Sequence, residues 1–440
     1  MTFTPSSIAS ALPDFAKELV SPLYFKYQSR AADSVHTPPA ATSSQKRGAP
    51  DHILLLVVDA LRPDVSLDIG LEFTTGISAA TWTFPSVTSM ITGERPSNHG
   101  AVAHTHPDDE EYAMPQKTNS RLALAKVLEA TGYDTYGGFA FLTPLLALRG
   151  GFQTHRVYND ARAETVLRKY QSWRQSRECT FGYLHLGDLH APIDPPQEYI
   201  EAHGVDESLP NLPGIVEYKT DFDPEDEECR YYRKHKLRLY NAAAEYVSDC
   251  LRPFVSEYED STAILLVGDH GESLWEYQSL DRQISDSRPN YCFGHGGTPF
   301  DSLARVPVGV SEKVPSPTGG WPSLRDVAPT LINIAVEDTP VPGHGWHDPI
   351  PENRAVVCEA TRYGAERKAV YRGNKKLIRS ETDDVTLTAT VNPDGEQFET
   401  FSPDLASELL SELPDEWYPE EDLAQTSPMV QDQLEALGYK

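Results

Sequence analysis

The sequence predicts an α/β protein, with a mixed, mostly parallel sheet flanked by helices and a small antiparallel sheet towards the C-terminus. Three observations carry this prediction. Ile53–Val58 and Ala263–Val267 are continuous apolar runs, as expected of strands buried on both faces of a parallel sheet. Stretches with helical patterning lie between the predicted strands, and such alternation builds an open sheet covered on both sides. From about residue 355 the texture changes to alternating apolar and polar residues, the mark of antiparallel strands with one wet face.

Taken in order, residues 1–30 carry one or two short helices, and residues 31–50, rich in Ser, Thr, Pro and Ala, read as a linker. The main sheet domain is expected over 51–355. Its strands include Ile53–Val58, Phe181–Leu186 and Ala263–Val267, and its helices Ser120–Thr131 (closed by Gly132), Glu164–Arg174 and Tyr231–Glu257. Residues 205–230, rich in Pro, Asp and Glu, form a surface excursion. Residues 356–440 form an α+β subdomain: strand Ala355–Ala360, alternating segments Lys368–Arg379 and Val385–Phe401 around the turn Asn392-Pro393-Asp394-Gly395, helix Ala406–Leu413 and an acidic tail.

The 440 residues include 38 Lys and Arg against 66 Asp and Glu, a formal charge of −28. Phosphate backbones and anionic bilayers need a basic patch, so nucleic acid and membrane surfaces are not expected partners. The five cysteines show no CxxC pair, which suits a reducing compartment. Met1 to Tyr27 lacks the charged-then-apolar pattern of a signal peptide. The longest apolar run falls far short of the ~20 residues of a membrane span. A cytoplasmic protein is expected. Acidity dispersed along the chain reads either as a halophilic surface or as ordinary solubilising charge.

Ligands of open parallel sheets bind beyond the carboxyl ends of the strands. Two predicted strands end in acids, Asp59 and Asp269-His270, and a third supplies His185, with His190 five residues on. Carboxylate and imidazole together suit a divalent cation. Thr83 precedes Pro85 in a segment closed by Gly93, so it stands at a helix N-terminus where free N–H groups favour an anion. Beside a metal, such a hydroxyl can ionise and attack phosphorus or sulfur; alone, Thr83 reads as a helix cap. His185 reads as a packed or supporting histidine, Asp64 and Asp188 as turn or cap residues, and Arg62 as a salt-bridge partner. Trp82 reads as core, and His344 and His347 as surface-loop residues. His99, His104 and His106 follow the Thr83 helix without a ligand spacing.

Together these residues resemble the sulfatase branch of the alkaline-phosphatase superfamily. Thr83-Phe84-Pro85-Ser86-Val87 with Ile91-Thr92-Gly93 follows the family's nucleophile motif. Val57–Asp64 and Gly268–Glu272 match its metal-ligand segments, and His185–Pro192 its His-x-x-Asp-x-His-x-Pro stretch. Phe293–Gly296, Arg305-Val306-Pro307, Arg325–Leu331 and Leu434–Tyr439 match later segments, so the likeness spans roughly residues 50–440. It implies one divalent ion (Mn, Mg, Ca or Zn) held by Asp59, Thr83, Asp269 and His270. It also implies Thr83 as nucleophile, and His190 or His295 as leaving-group acid or oxyanion donor. The substrate would be a small anionic ester.

The departures refine this. Thr83 stands where sulfatases carry the Cys or Ser that becomes formylglycine, and threonine cannot give that aldehyde. Val87 replaces a supporting Arg, Ala60 the second Asp of an Asp-Asp pair, and Gly137–Phe141 the Lys-Trp-His anion contacts. What remains is similar to the one-metal set of phosphonate-monoester hydrolases and phosphoglycerol transferases. The expected activity is hydrolysis of a phosphate or sulfate ester, phosphate mono- or diester favoured, through a covalent Thr83 intermediate. A non-catalytic anion-binding member and a formylglycine-independent sulfatase are the alternatives.

Overall fold

The computed structural model describes residues 14–40, 42–105, 113–115, 123–214, 222–288, 292–337, 341–398, 401–415, 417 and 423–425. Seven strands form the main sheet: β1 (His52–Val58), β2 (Glu72–Ile77), β3 (Asp134–Phe139), β4 (Thr154–Val157), β5 (Thr180–Leu186), β6 (Thr262–Gly268) and β7 (Arg305–Val310). Their spatial order is β2-β7-β6-β1-β5-β3-β4. The five from β6 to β4 are parallel, while β7 runs against both β6 and β2. The central strands β1, β5 and β6 are buried almost throughout, so both faces are covered, as their apolar runs predict.

Register sets the site. Val58 lies opposite Leu186 of β5 on one side and Gly268 of β6 on the other. Asp59 and Asp269 therefore emerge side by side from the same sheet edge, one residue past that row. His185 sits one position earlier, opposite Val57.

The N-terminal region holds one longer helix where short helices are expected, followed by an extended segment without helix or strand among its described residues. One helix, α1 (Asp14–Ser34), runs through Pro22. Edge strand β4 supplies the reason, because its outer N–H groups need partners. Ser29 Oγ accepts from Val157 N at 3.0 Å and Asp33 Oδ1 from His155 N at 2.6 Å. The segment that follows has its own ties: Ser43 N donates to Ala130 O and Lys46 N to Ala335 O. These carbonyls end α3 (Ala123–Ala130) and α6 (Val327–Ala335); α2 (Thr83–Thr92), α4 (Ala163–Arg174) and α5 (Glu227–Tyr258) are the other main helices of this part. Residues 120–122 of the expected helix and the C-terminal Leu434–Tyr439 lie outside the described residues.

The second sheet is antiparallel and sequential: β8 (Val356–Cys358), β9 (Arg367–Arg372), β10 (Lys375–Ser380), β11 (Val385–Asn392) and β12 (Gly395–Phe398). Gly395, at φ +128°, closes the expected turn at a conformation that disfavours side chains. Helix α7 (Pro403–Leu410) starts earlier than its apolar pattern suggests, because Ser402 accepts from Leu405 N and Pro403 suits the first turn. Charge as well as apolar packing joins the two sheets. Lys376 is fully buried and bonds Asp301 and Glu396, while Arg305 and Tyr371 also bond Asp301. Among the described residues no helix is long and apolar enough to cross a membrane.

Candidate active site

Helix α2 begins at Thr83 and ends against Gly93, whose φ of +76° lets its N–H return to Ser89 O. A Cβ on Gly93 would stand 2.1 Å from Pro342 O, so the helix end fits only glycine. This fixes Thr83 at the helix start, beside the row of strand ends. Its hydroxyl lies 3.1 Å from Asp59 Oδ2 and 3.3 Å from His270 Nε2.

The residues around it are completely buried. Asp59, Thr83, Asp269, His270 and His185 are all 0% exposed. His185 Nε2 lies 2.7 Å from Asp59 Oδ2, and its Nδ1 lies 2.9 Å from the Tyr183 hydroxyl. With Tyr183 donating, Nε2 carries the proton given to Asp59. His185 is thus the supporting histidine its apolar strand suggests, and its partner is a candidate ligand. Asp269 Oδ1 accepts from the N–H groups of Ala60 and His270 at 3.2 and 2.9 Å. Ala60 reaches it by adopting φ +57°, unusual for a residue with a side chain.

The remaining atoms converge. His270 Nδ1 bonds Gly271 O at 2.8 Å, leaving Nε2 to face Asp59 Oδ1 at 3.4 Å and Asp269 Oδ2 at 3.6 Å. Those two carboxylate oxygens are buried and have no hydrogen-bond partner among the described residues. Burial, and then the Asp59 charge, push the Asp269 carboxyl well above its ordinary range. Burial also acts upwards on Asp59, but the facing imidazoles of His190, His185 and His270 outweigh it and hold this carboxyl low. Two facing carboxylates without a counter-charge are costly in a dry interior. A divalent cation removes that cost, and one atom each from Asp59, Asp269 and His270 lie within 4.8 Å of one another. The residues fit a metal ion, and the O/N donor set admits Mn, Mg, Ca or Zn.

Two more imidazoles roof the cluster. The His295 ring lies 4.7 Å from that of His190 and 4.8 Å from that of His270. Burial pushes His190 down to about 4 against the pull of Asp59, and pushes His295 well below its ordinary value. His295 Nδ1 lies 3.0 Å from Glu272 Oε2. That pairing is not readable in advance, although Glu272 sits in the quoted Gly268–Glu272 motif. Phe141 packs on both His185 and His190, with ring centroids 5.5 and 5.2 Å away. An aromatic wall thus stands where the family resemblance leads one to look for cationic anion contacts.

Other singled-out residues lie elsewhere. Arg62 pairs with Asp64 and Glu276. Asp188 accepts from Ala163 N and so anchors the start of α4. His99 bonds Ser89, and buried His104 bonds Glu366. His344 sits in a loop against Asp348 O, Trp82 is core, and His106 lies outside the described residues.

This arrangement can be set beside known proteins. The sulfatase family matches residues 60–308, more than half of the chain. Several solved structures share the fold. A structure in complex with its substrate D-glucosamine-2-N,6-O-disulfate has a TM-score of 0.61 at 13% identity, covering 88% of this chain and 98% of its own. A 2-O glycosaminoglycan sulfatase has a TM-score of 0.54 at 14% identity, covering 83% and 90%. A proposed sulfatase of Bacteroides thetaiotaomicron has a TM-score of 0.56 at 13% identity, also covering 83% and 90%. No curated protein matches the chain. With a family match over most of the sheet domain, ending in β7, and a fold shared with solved sulfatases, the chain belongs to the sulfatase family of the alkaline-phosphatase superfamily.

Proposed function

We propose that the chain is a divalent-metal-dependent hydrolase of small phosphate or sulfate esters, favouring phosphate mono- and diesters, with Thr83 as the covalent nucleophile. The observation that carries this reading is the Thr83 hydroxyl at a helix start, 3.1 Å from Asp59 Oδ2 and 3.3 Å from His270 Nε2. A cation held by Asp59, Asp269 and His270 beside Thr83 supplies Lewis acidity, favouring an ionised hydroxyl and a neutralised oxyanion.

The chain's own residues do the rest. The helix N-terminus directs backbone N–H groups towards the anion. Thr83 Oγ1 forms the bond to phosphorus as the ester oxygen departs with its electron pair, and water later cleaves the Thr83 ester. His185 holds the Asp59 carboxylate ionised and oriented. His190 gives its Nδ1 proton to the Ala191 carbonyl at 2.6 Å, so its Nε2 must first take up a proton before it can serve the leaving group or a non-bridging oxygen; His295, beside Glu272, is the other candidate for that role. Burial of the whole cluster keeps water from competing for these hydrogen bonds. Threonine in place of a formylglycine precursor favours phosphorus over the sulfate chemistry of the solved relatives.

The test is a panel of p-nitrophenyl phosphate, bis-p-nitrophenyl phosphate, phenylphosphonate and p-nitrophenyl sulfate, each with Mn²⁺, Mg²⁺, Ca²⁺ or Zn²⁺. We expect turnover of the phosphorus esters by the wild type and none above background by Thr83→Ala. Turnover of the sulfate alone moves the assignment to a formylglycine-independent sulfatase. No Thr83-dependent turnover at all leaves an anion-binding protein.

A further inference from the structure

A second cavity lies far along the sheet, at its β4 edge, where α1 covers it. It has a volume of about 480 Å³ and is lined by Pro22, Phe25, Lys26, Ser29 and Arg30 of α1 and by Arg156–Asn159 of β4 and the loop beyond it. The helix residues recur at spacings of three and four, so a single face of α1 forms one wall. Phe25, Val157 and Tyr158 make that space apolar. Lys26, Arg30 and Arg156 place three cations around it.

In a chain of net charge −28 this is an exception. Arg156 has a partner, Asp33, at 3.0 Å. The side chains of Lys26 and Arg30 have no hydrogen bond or ion pair to any described residue. With acids in such excess, two cations with no partner among the described residues stand out at the rim of an apolar cavity. The apolar content continues outside the cavity: Leu23 and Tyr27, one turn apart on α1, are 67% and 52% exposed. Burying such groups gains about 25 cal/mol per Å² of apolar area.

We propose that this cavity binds a small amphiphilic anion, a carboxylate, sulfonate or phosphate head carried on an apolar body. The head meets Lys26, Arg30 and Arg156, and the body lies against Phe25, Val157 and Tyr158. An inorganic anion leaves the apolar wall unused, and an amphiphilic cation meets Lys26 and Arg30, two like charges with no counter-charge among the described residues. The site shares no residue with the Thr83 cluster, so it stands whether or not that cluster turns over an ester.

Isothermal titration calorimetry of the whole chain tests the proposal, with anilinonaphthalene sulfonate as probe and uncharged N-phenylnaphthylamine and inorganic sulfate as controls. Titrations use the wild type and the double variant Lys26→Gln/Arg30→Gln, at a KCl concentration where circular dichroism shows both folded. Both replaced side chains are exposed, so the fold is retained. The expected result is one site for the sulfonate in the wild type, weakened roughly tenfold or more in the variant as two facing charges are lost. Weaker N-phenylnaphthylamine binding that the variant leaves unchanged, and no heat from inorganic sulfate, complete the pattern. Equal binding of the sulfonate by both proteins, equal affinity for charged and uncharged probes, or no sulfonate binding by the wild type overturns the proposal.

Discussion

Thr83, Asp59, Asp269 and His270 form a cluster in which each polar atom is either bonded within the protein or turned towards the same point. Removing one atom therefore has a specific expected result. Thr83→Ala should lower ester turnover by about 10³-fold or more, with Thr83→Ser retaining part of it, measured as kcat/KM. His185→Ala leaves every candidate ligand in place but frees Asp59, so metal affinity should fall by about 10- to 100-fold in calorimetry. His190 gives a pH signature. Its proton is taken up near 6.5 in the unfolded chain and near 4 in the folded one. The unfolded state thus binds more protons between those values, and stability falls as pH is lowered through that window. Urea unfolding from pH 7 to 4 should show a loss to which His190 contributes of order 1–3 kcal/mol, so the loss shrinks in His190→Gln while the share of His295 remains; an unchanged slope in the variant would contradict the assignment. In the sequence, Asp59 and Asp269-His270 are legible because acids end apolar runs. The His185–Asp59 and His295–Glu272 pairs are not, because they form between residues 126 and 23 positions apart, with no spacing to mark them.

At the scale of elements, the segments legible in advance are those whose local pattern and burial agree. Strands β1, β5 and β6 follow from their apolar runs, and the β11–β12 hairpin from its Asn-Pro-Asp-Gly turn. Helix α1 is misjudged because its length answers a demand from elsewhere, the bare edge of β4, which Ser29 and Asp33 satisfy. The end of α2 is as demanding. Gly93→Ala forces a Cβ against Pro342 O at a positive φ, and should cost about 2–4 kcal/mol in denaturant unfolding. The join between the sheets is sensitive in another way. Lys376→Met leaves Glu396 without its buried cation and Asp301 with Arg305 as its remaining cation, and should cost about 3–5 kcal/mol, whereas an exposed pair such as Arg162–Asp194 contributes little.

For the whole molecule, register does what no single motif can. Pairing Val58 with both Leu186 and Gly268 brings residues from three distant stretches of chain to one buried point, and the helix start at Thr83 meets them there. Against the charge of −28 two places stand out, the buried Asp59 and Asp269 carboxylates that face one point where a cation fits, and the Lys26, Arg30 and Arg156 side chains at the cavity beneath α1. If the remaining acidity is a halophilic surface, the unfolding temperature should rise steadily from low to molar KCl; a flat response marks ordinary solubilising charge. The central claim, that Thr83 becomes covalently esterified during turnover, is open to direct measurement. The metal-loaded enzyme is quenched in acid during turnover of bis-p-nitrophenyl phosphate, digested, and its peptides weighed by mass spectrometry. The account predicts a phosphoryl-ester adduct on Thr83 that accumulates with substrate and is absent without metal. Continued turnover with Thr83 unmodified, or with an adduct on another residue, would contradict it.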